Sequence, residues 1–414
     1  MTTALLIALM AACGCDDEPD EGPSEVVIGV IYPLTGSEAA TGADLRRGVE
    51  LALEIVNDDH ALALPLAAGE GLPRLGGARL RVVLADSAGR PDQGVERARA
   101  LLAMGEVSAL LGAYQSSVTA EISLVTEEAE IPLVVDPSAP SITRRGLRWT
   151  FRPSPDDTIF VGEQFAFLDE LRAERGVAPE SAAIVYVDDL FGSSVAELQA
   201  KAAAEAGLPI VAEVAYPVDA SSFEPIAREV AASGARLVLQ SSFEKDAIGI
   251  VQAYEAIGHR PEAILAMDAG FISPAFIATL GDGANDVLSR EVWAEDLGEA
   301  NPLVRQVSEL FRARYGESMT GNSARAFTAV LVLADAIDRA GTTDPEPIRR
   351  ALVATELAPE QLIMPWGGVR FDETGQNELA RGIIVQIQDR EYRTVWPSEL
   401  ATSEVVWPMR SPPR

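Results

Sequence analysis

Residues 26–36 read Val-Val-Ile-Gly-Val-Ile-Tyr-Pro-Leu-Thr-Gly, an apolar β-branched run that ends in turn-forming residues. A continuous run of this kind is typical of a strand that a parallel sheet buries on both faces. Similar runs follow at 79–85, 107–113, 131–135, 182–187, 209–215, 236–240 and 263–267. The sequence therefore predicts a series of buried parallel strands that starts at residue 26.

Helical periodicity fills the intervals between these runs. In the segment 43–57, Leu45, Val49, Ala52 and Val56 fall on one helical face. The same periodicity recurs at 92–104, 117–129, 157–173, 193–206, 223–233, 245–257, 303–315 and 323–340. Alternation of strands and helices over most of the chain predicts an α/β fold of βαβ units with doubly wound parallel sheets. Because the length exceeds what one such sheet comfortably holds, we expect two lobes.

The charge composition argues against two classes of binding partner. The chain has 414 residues, with 33 Lys and Arg against 63 Asp and Glu, so its formal net charge is −30. Such a charge argues against binding nucleic acid, which needs clustered cations, and against docking of the folded body on an anionic membrane surface. The net charge alone does not identify a binding partner, since an acidic, solvent-exposed surface explains it.

The N-terminal segment indicates export and a lipid anchor. Residues 4–12 are nine apolar residues, too few to span a bilayer but enough for the apolar region of a secretory signal. They end at Cys13, in a Leu-Met-Ala-Ala-Cys context that resembles a bacterial lipobox, and Cys15 forms a competing site. We therefore predict a signal peptide over 1–15 with lipidation of Cys13, or alternatively of Cys15. A structural cysteine pair, such as a small disulfide, stays open, as does whether Met1 is the true start.

An acidic tether follows the cysteines. Residues 16–25 contain six acids, two prolines and no apolar residue, so they cannot contribute to a core. A tether placed directly after a lipidated cysteine would hold a folded body away from a membrane. We expect an exported protein on the periplasmic side of the cell envelope, in contact with the membrane only through its lipid.

Four predicted strand ends carry polar or aromatic residues where open α/β sheets bind ligands. They are Tyr32–Gly36, with Thr41 at the opening of the next helix, Tyr114–Ser117, Asp136–Pro140 and Asp188–Gly192. Helix N-terminal N–H groups near Ser116 and Ser117 favour a carboxylate. An alternative stays open, in which these serines only cap the helix.

These strand ends carry a resemblance to a known family. Gly29–Gly36, Leu111–Ser117, Asp136–Ala139, Tyr186–Gly192 and Trp366–Gly375 occur in the order typical of type I periplasmic-binding proteins, especially the branched-chain amino acid receptor group. The similarity extends from residue 26 to about residue 396.

The resemblance implies two Rossmann-like lobes joined by three hinge strands. Carried onto this chain, it implies lobe I at 26–152 and 293–365, lobe II at 153–292 and 366–405, a C-terminal tail at 406–414, and hinges near 151–155, 291–295 and 365–369. It also implies that an amino acid or amide binds in the cleft between the lobes.

The family's ligand-binding positions transfer residue by residue. Ser116 and Ser138 would bind the ligand carboxylate, and Phe191 and Phe243 match cleft aromatics that are usually tyrosine. The acidic partner of the ligand ammonium maps near Asp268; the strictest alignment places Ala269 there. Either Asp268 takes the role, or the ligand lacks an ammonium group. The full candidate set is Tyr32, Thr41, Tyr114, Gln115, Ser116, Ser117, Asp136, Ser138, Phe191, Phe243 and Asp268.

The expected function is capture of a small molecule and its delivery to an ABC permease by a monomeric receptor. The alternative within the same fold is a ligand-sensing lipoprotein, or one that binds another envelope protein. We expect no catalysis, cofactor or metal site, because His60 and His259 lack ligand spacing and the sequence has neither a nucleophile elbow nor a phosphate-binding loop.

Overall fold

Strand β1 (Glu25–Tyr32) lies inside the first of two sheets in the computed structural model, which describes residues 23–410. Its side chains alternate between two apolar cores, with Val26, Ile28 and Val30 on one face and Val27 and Ile31 on the other. Burial on both faces explains why this strand is apolar at nearly every position. Cys13, Cys15 and residues 16–22 of the predicted tether lie outside the described residues, and Glu25, predicted in the tether, is the first residue of β1.

The first sheet is entirely parallel. Its strands are β1, β2 (Arg79–Asp86), β3 (Val107–Gly112), β4 (Leu133–Val134) and β5 (Thr150–Phe151), in the order β2-β1-β3-β4-β5. The helices between them are α1 (Ala39–Asn57), α2 (Pro91–Leu102) and α3 (Ser116–Glu128). The predicted strand at 131–135 is shorter than expected, since its ladder pairs only Leu133 and Val134.

The second sheet has seven strands in the order β12-β11-β10-β9-β8-β6-β7. They are β6 (Ala182–Val187), β7 (Ile210–Tyr216), β8 (Leu237–Ser241), β9 (Ala263–Met267), β10 (Leu288–Glu291), β11 (Ile383–Gln388) and β12 (Glu391–Trp396). Its helices are α4 (Asp157–Arg175), α5 (Leu190–Ala206), α6 (Glu224–Ser233), α7 (Glu244–Ala256) and α8 (Pro274–Leu280).

One edge of the second sheet differs from the prediction. Strands β10 to β12 are antiparallel neighbours, whereas β6 to β10 are parallel. Asp389 and Arg390 turn the β11–β12 hairpin with φ of 52° and 65°, the backbone that a type I′ turn requires. The predicted architecture of two α/β lobes with doubly wound, mostly parallel sheets is confirmed, and the antiparallel hairpin is an addition to it.

The chain crosses between the lobes three times. The crossings, named here by their residues, are the first crossing (152–156), the second crossing (292–301) and the third crossing (354–382). Between the second and third crossings lie α9 (Pro302–Tyr315), α10 (Gly321–Ala340) and α11 (Pro345–Val353). Helices α9 and α10 pack on α1 of the first lobe, where Tyr315 Oη donates to the Arg47 carbonyl over 3.2 Å. The predicted hinges fall in or beside these crossings, and the limits of the lobes stay a prediction.

A fully buried arginine connects the first and third crossings. The Arg152 guanidinium donates from Nε to Gln376 Oε1 over 2.6 Å and from Nη1 to the carbonyls of Pro137 (2.9 Å) and Ala139 (2.8 Å). Nη2 donates to Thr143 Oγ1 over 3.1 Å. Nη2 also lies 3.6 Å from Asp156 Oδ2, so protein dipoles and one buried carboxylate together replace water around the charge.

The C-terminal segment packs against the second lobe. Arg410 donates from its backbone N to Asp286 over 2.7 Å, and Val406 N donates to Gln386 Oε1 over 2.8 Å. Part of the predicted tail, 406–410, is therefore fixed to the sheet. Across residues 23–410, no helix combines the length and apolarity needed to cross a membrane.

Candidate functional site in the interlobe cleft

A small cavity lies where the carboxyl ends of strands from both sheets face each other. It is lined by Tyr114, Ser116, Asp136, Pro137, Ser138, Phe191, Phe243, Asp268, Ala269, Arg290 and Arg325. Seven of the eleven candidate residues therefore line one cavity, which we call the cleft cavity. Its volume of ≈ 30 Å³ has room for a few water molecules at most.

Aromatic rings close the cavity from both lobes. Tyr114, which follows β3, lies 6.1 Å from Phe243, which follows β8, and Phe243 lies 5.6 Å from Phe191 (ring centroids). These spacings are typical of packed aromatic pairs. The two lobes are thus in contact across the cleft, and a ligand larger than a few atoms must separate these rings.

Helix α3 begins at the cavity. Gln115 is its N-cap residue, so Ser116 and Ser117 are the first two helical residues. The interpretation of both serines as mere N-caps is therefore wrong. The first N–H groups of α3 and the Ser116 side chain are available to an anion beside the positive end of the helix dipole.

Asp136 lines the cavity, and a hydrogen bond from Tyr32 holds its carboxyl group in place. Tyr32 Oη donates to Asp136 Oδ2 over 2.6 Å, and both side chains are buried. Burial raises the pKa of the Asp136 carboxyl, and the hydrogen bond from Tyr32 and the charge of Arg325 oppose that rise. Tyr32 does not line the cavity; it orients a residue that does.

Two arginines share Asp268. Arg290 Nη1 lies 2.7 Å from Asp268 Oδ2, and Arg325 Nη1 lies 3.1 Å from the same oxygen. Arg290 and Asp268 belong to the second lobe, whereas Arg325 lies on α10 of the first lobe. The guanidinium of Arg290 also stacks on Phe160, 3.1 Å from the ring centroid. We call Arg290, Arg325 and Asp268 the cleft arginine centre; its Arg325–Asp268 ion pair bridges the lobes.

The backbone at this centre is strained. Asp268 and Ala269 both have φ of 48°, in the left-handed region that side chains disfavour. At Gly270, a Cβ atom would lie 2.5 Å from the Phe243 carbonyl carbon, so only glycine fits. Such strain persists where the surroundings fix the backbone, and here it aims the Asp268 carboxylate at the two guanidinium groups.

Three predicted residues besides Tyr32 lie away from the cavity. Thr41 is buried in the first turn of α1, and Gln115 and Ser117 flank Ser116 without lining the cavity. Of these, Gln115 packs toward the loop after β2, where a Cβ atom on Gly89 would lie 2.8 Å from Gln115 Nε2.

A cluster of acids lies between the two lobes at α1 and α7. Glu38 is the N-cap residue of α1, and Glu244 and Asp246 lie in the first turn of α7. Burial raises the pKa of Glu38 to about 8, and the charges of Glu244 and Asp246 add to the shift. Because these three carboxyl groups lie close together between the lobes, the packing of the two lobes at this cluster depends on pH.

Sequence reasoning missed Arg290 and Arg325. Each carries a visible signal, because Arg290 lies between Leu288 and Val292 in a short segment, and Arg325 lies at the start of a largely apolar run that continues to Ala334. A charged residue inside a buried element needs a buried partner, so these positions predict an internal ion pair. Within the described part of the chain, no group of three or more His, Cys, Asp or Glu side chains is placed to hold a metal ion.

Comparison with known proteins gives the family. A sequence model of the periplasmic binding protein family matches residues 25–391. A Leu/Ile/Val-binding protein homolog 7 of Brucella suis is 26% identical over 399 residues, which cover 93% of this chain and 94% of that protein.

Solved structures show the same fold. The leucine-binding protein LivK of Thermotoga maritima superposes with a TM-score of 0.75 at 19% identity, over 89% of this chain and 97% of that one. A solute-binding protein of an ABC transporter from R. palustris, in complex with benzoate, superposes with a TM-score of 0.75 at 17% identity, over 90% and 95%. The predicted resemblance to branched-chain amino acid receptors is confirmed, and the chain belongs to the periplasmic binding protein family.

Proposed function

We propose that this protein is an extracytoplasmic lipoprotein that captures an amino acid or a related small molecule between its lobes and delivers it to an ABC permease. The observation that carries the proposal is the cleft cavity, where a helix N-terminus from one lobe faces two phenylalanines from the other. This pairing of an anion site with an apolar wall suits a small apolar acid.

The carboxylate would bind at Ser116. The Ser116 hydroxyl and the free N–H groups of α3 supply donors, and Ser138 lies in the neighbouring loop. Phe191 and Phe243 would pack on the apolar part of the ligand once the rings separate to admit it.

The opposite end of the cavity favours a ligand without an ammonium group. Asp268, the predicted ammonium partner, is already paired with Arg290 and Arg325. An ammonium group would have to compete with two guanidinium groups at that carboxylate, whereas a neutral or acidic ligand would not. Aromatic acids, such as the benzoate bound by the R. palustris protein, therefore join amino acids as candidates.

Closure couples binding to delivery. A ligand that touches both lobes only in the closed form shifts the population toward closure by its differential affinity. The permease would recognise the closed form, and a lipid on Cys13 would raise the local concentration of receptor at the membrane. We propose that the protein binds its ligand without transforming it, as its relatives do.

A thermal-shift screen with leucine, isoleucine, benzoate and small amides identifies the ligand, and calorimetry then tests the site. Ser116→Ala should weaken binding of a carboxylate ligand by about 1–3 kcal/mol, because one hydrogen bond to a charged group is lost. Ser117→Ala is the matched control, since Ser117 lies next in the helix but does not line the cavity. Equal affinities for wild type and Ser116→Ala would refute this site.

Two further measurements test the cellular role. Mass spectrometry of the mature N-terminal peptide, in Cys13→Ser and Cys15→Ser variants, shows which cysteine carries lipid. Uptake of the labelled ligand, measured with and without the protein, separates transport from sensing; unchanged uptake would contradict delivery to a permease.

A further inference from the structure

A second, larger cavity lies apart from the cleft cavity. It has a volume of ≈ 860 Å³ and lies where the second crossing meets α9, the N-terminus of α10 and the β11–β12 hairpin. Its apolar lining includes Ile277 of α8, Met319, which precedes α10, and the ring of Tyr392. We call it the crossing cavity, and its size is within the range of small-molecule sites.

Two buried side chains that line this cavity each have one polar atom without a hydrogen-bond partner in the described part of the chain. Glu291 and Trp293 are 2% and 1% exposed, and both belong to its lining. Among residues 23–410, neither Glu291 Oε2 nor Trp293 Nε1 has a hydrogen-bond partner. Both atoms are closed off from solvent, and leaving such groups unsatisfied costs about 1–3 kcal/mol each, so a ligand that enters the cavity and shifts the lining would gain by satisfying them.

A glycine makes room for the Glu291 carboxyl group. A Cβ atom on Gly321 would lie 2.1 Å from Glu291 Oε1, so any other residue would displace the carboxyl group. Glu291 Oε1 accepts a hydrogen bond from Val292 N over 2.6 Å, which fixes the side chain and leaves Oε2 free. The group is therefore held in place with one oxygen unused.

The charge of the lining favours a cation. Seven carboxyl side chains and four arginines line the cavity, and three of those arginines form ion pairs with nearby acids. A cationic ligand would reduce this excess of negative charge, whereas an anionic ligand would increase it. The indole N–H of Trp293 adds a donor for one ligand oxygen or nitrogen.

We propose that the crossing cavity binds an organic amine with an apolar body, whose ammonium group donates to Glu291 and whose oxygen or nitrogen acceptor meets the Trp293 N–H. The apolar body packs against Ile277, Met319 and Tyr392. This site is separate from the carboxylate site at Ser116, so its ligand is a second one.

Tyramine is a suitable probe, because it has an ammonium group, an aromatic body and one oxygen. Tyrosol lacks the ammonium group and 2-phenylethylamine lacks the oxygen, so they form matched controls. We expect calorimetry and saturation-transfer NMR to show saturable tyramine binding to the full chain, with tyrosol at least tenfold weaker and 2-phenylethylamine severalfold weaker.

Variants separate this site from the cleft cavity. Glu291→Gln should weaken tyramine at least tenfold, and Trp293→Phe should remove the preference for tyramine over 2-phenylethylamine. Glu309→Gln makes the same side-chain substitution at an exposed position of the lining and should have little effect. Ser116→Ala should leave tyramine binding unchanged.

A proton-linked readout distinguishes a direct contact from a structural effect. Burial and the charge of Asp268 raise the pKa of Glu291 to about 8, against the opposing charges of Arg325 and Arg290. An ammonium group bound at Glu291 would ionise it and release a proton at pH 7, so the binding enthalpy should differ between phosphate and Tris buffers.

Folding of each variant is checked by its melting temperature. Should Glu291→Gln fail to fold, Ile277→Trp, which fills the cavity from a partly exposed position, should abolish tyramine binding instead. Absence of tyramine binding at 5 mM (about −3 kcal/mol) would overturn the proposal. Equal affinity of the wild type and the folded variant would overturn it too.

Discussion

The protein buries arginines in two centres that differ in what they hold together. Arg152 donates to Gln376 and Thr143 side chains and to backbone carbonyls, all within the crossings and the adjoining loop. Arg325 instead reaches Asp268 from the opposite lobe, and its Nε has no partner among residues 23–410. The first centre therefore lies within the hinge itself, whereas the second joins the two lobes across the cleft.

The pKa values of Arg152 and Arg325 also shift in opposite directions. Burial lowers the pKa of Arg152 to about 10, and the nearby charges of Asp156 and Asp157 only partly oppose it. Burial also lowers the pKa of Arg325, but the charges of Asp268, Glu291 and Asp136 outweigh it and leave the pKa raised. Four neutral acceptors and the more distant Asp156 carboxylate, 3.6 Å away, thus hold Arg152, whereas carboxylates dominate around Arg325.

The largest expected effect comes from removing the hinge arginine. Arg152→Met should lower the free energy of unfolding by about 3–5 kcal/mol, because several buried acceptors lose their donor at once. Urea denaturation followed by circular dichroism measures the loss. Arg172→Met is the matched control, since Arg172 and its partner Asp169 are both exposed, and this change should cost less than about 1 kcal/mol.

Removal of the cleft arginine should affect closure more than stability. Arg325→Met removes the ion pair between lobes but leaves Asp268 paired with Arg290, so the loss of stability should be about 1–3 kcal/mol. Small-angle scattering of the ligand-free protein should show a larger radius of gyration than wild type. An unchanged radius, or a loss of stability equal to that of Arg152→Met, would break the distinction between the two centres.

A glycine substitution tests the acid beside the cleft arginine centre. Gly321→Ala should destabilise the protein by about 1–3 kcal/mol, because the new Cβ atom displaces the Glu291 carboxyl group. Gly162→Ala in α4 is the matched control: nothing lies within 4 Å of its Cβ position, so we expect a gain of about 0.5–1 kcal/mol. Thermal and urea unfolding measure the stability of both variants. A change of stability in the same direction for both would contradict the prediction.

The smallest expected effect concerns the cluster formed by Glu38, Glu244 and Asp246. Because the pKa of Glu38 is raised to about 8, the folded protein retains a proton there that the unfolded chain releases above about pH 4.5. Stability should therefore fall as the pH rises from about 4.5 to 8, and Glu38→Gln should flatten that decline by about 1–2 kcal/mol. Urea unfolding at pH 5, 6.5 and 8 measures both slopes; identical slopes would contradict the assignment.

Much of the fold could be predicted from the sequence, because a strand that is buried on both faces is a continuous run of apolar residues. The run at 26–32 becomes β1, and the runs up to 263–267 become strands of the two sheets. The signal fails in β10, where Arg290 and Glu291 are polar residues in a buried strand. The partners of Arg290 are Met267 at the end of β9 and Asp268 directly after it, and local periodicity carries no information on such distant contacts.

The site was predictable where it depends on strand ends and not where it depends on packing between lobes. Ser116, Ser138 and Asp136 follow strands of one sheet, so topology places them together. Tyr32 also ends a strand, yet its hydroxyl turns to Asp136 and away from the cavity. Arg325 lies in a helix that is distant from these loops along the chain, and only the packing of α10 on α1 brings it to the cleft.

The position of β1 has a mechanical consequence. It is hydrogen-bonded to β2 on one side and β3 on the other, through eight and five paired positions. A force applied to the chain before Glu25 acts along the strand, so both ladders must shear at the same time. Parallel ladders loaded in shear resist more than a hairpin that opens one bond at a time. A pull on the chain before Glu25 is therefore borne by the first lobe, through the two ladders of β1.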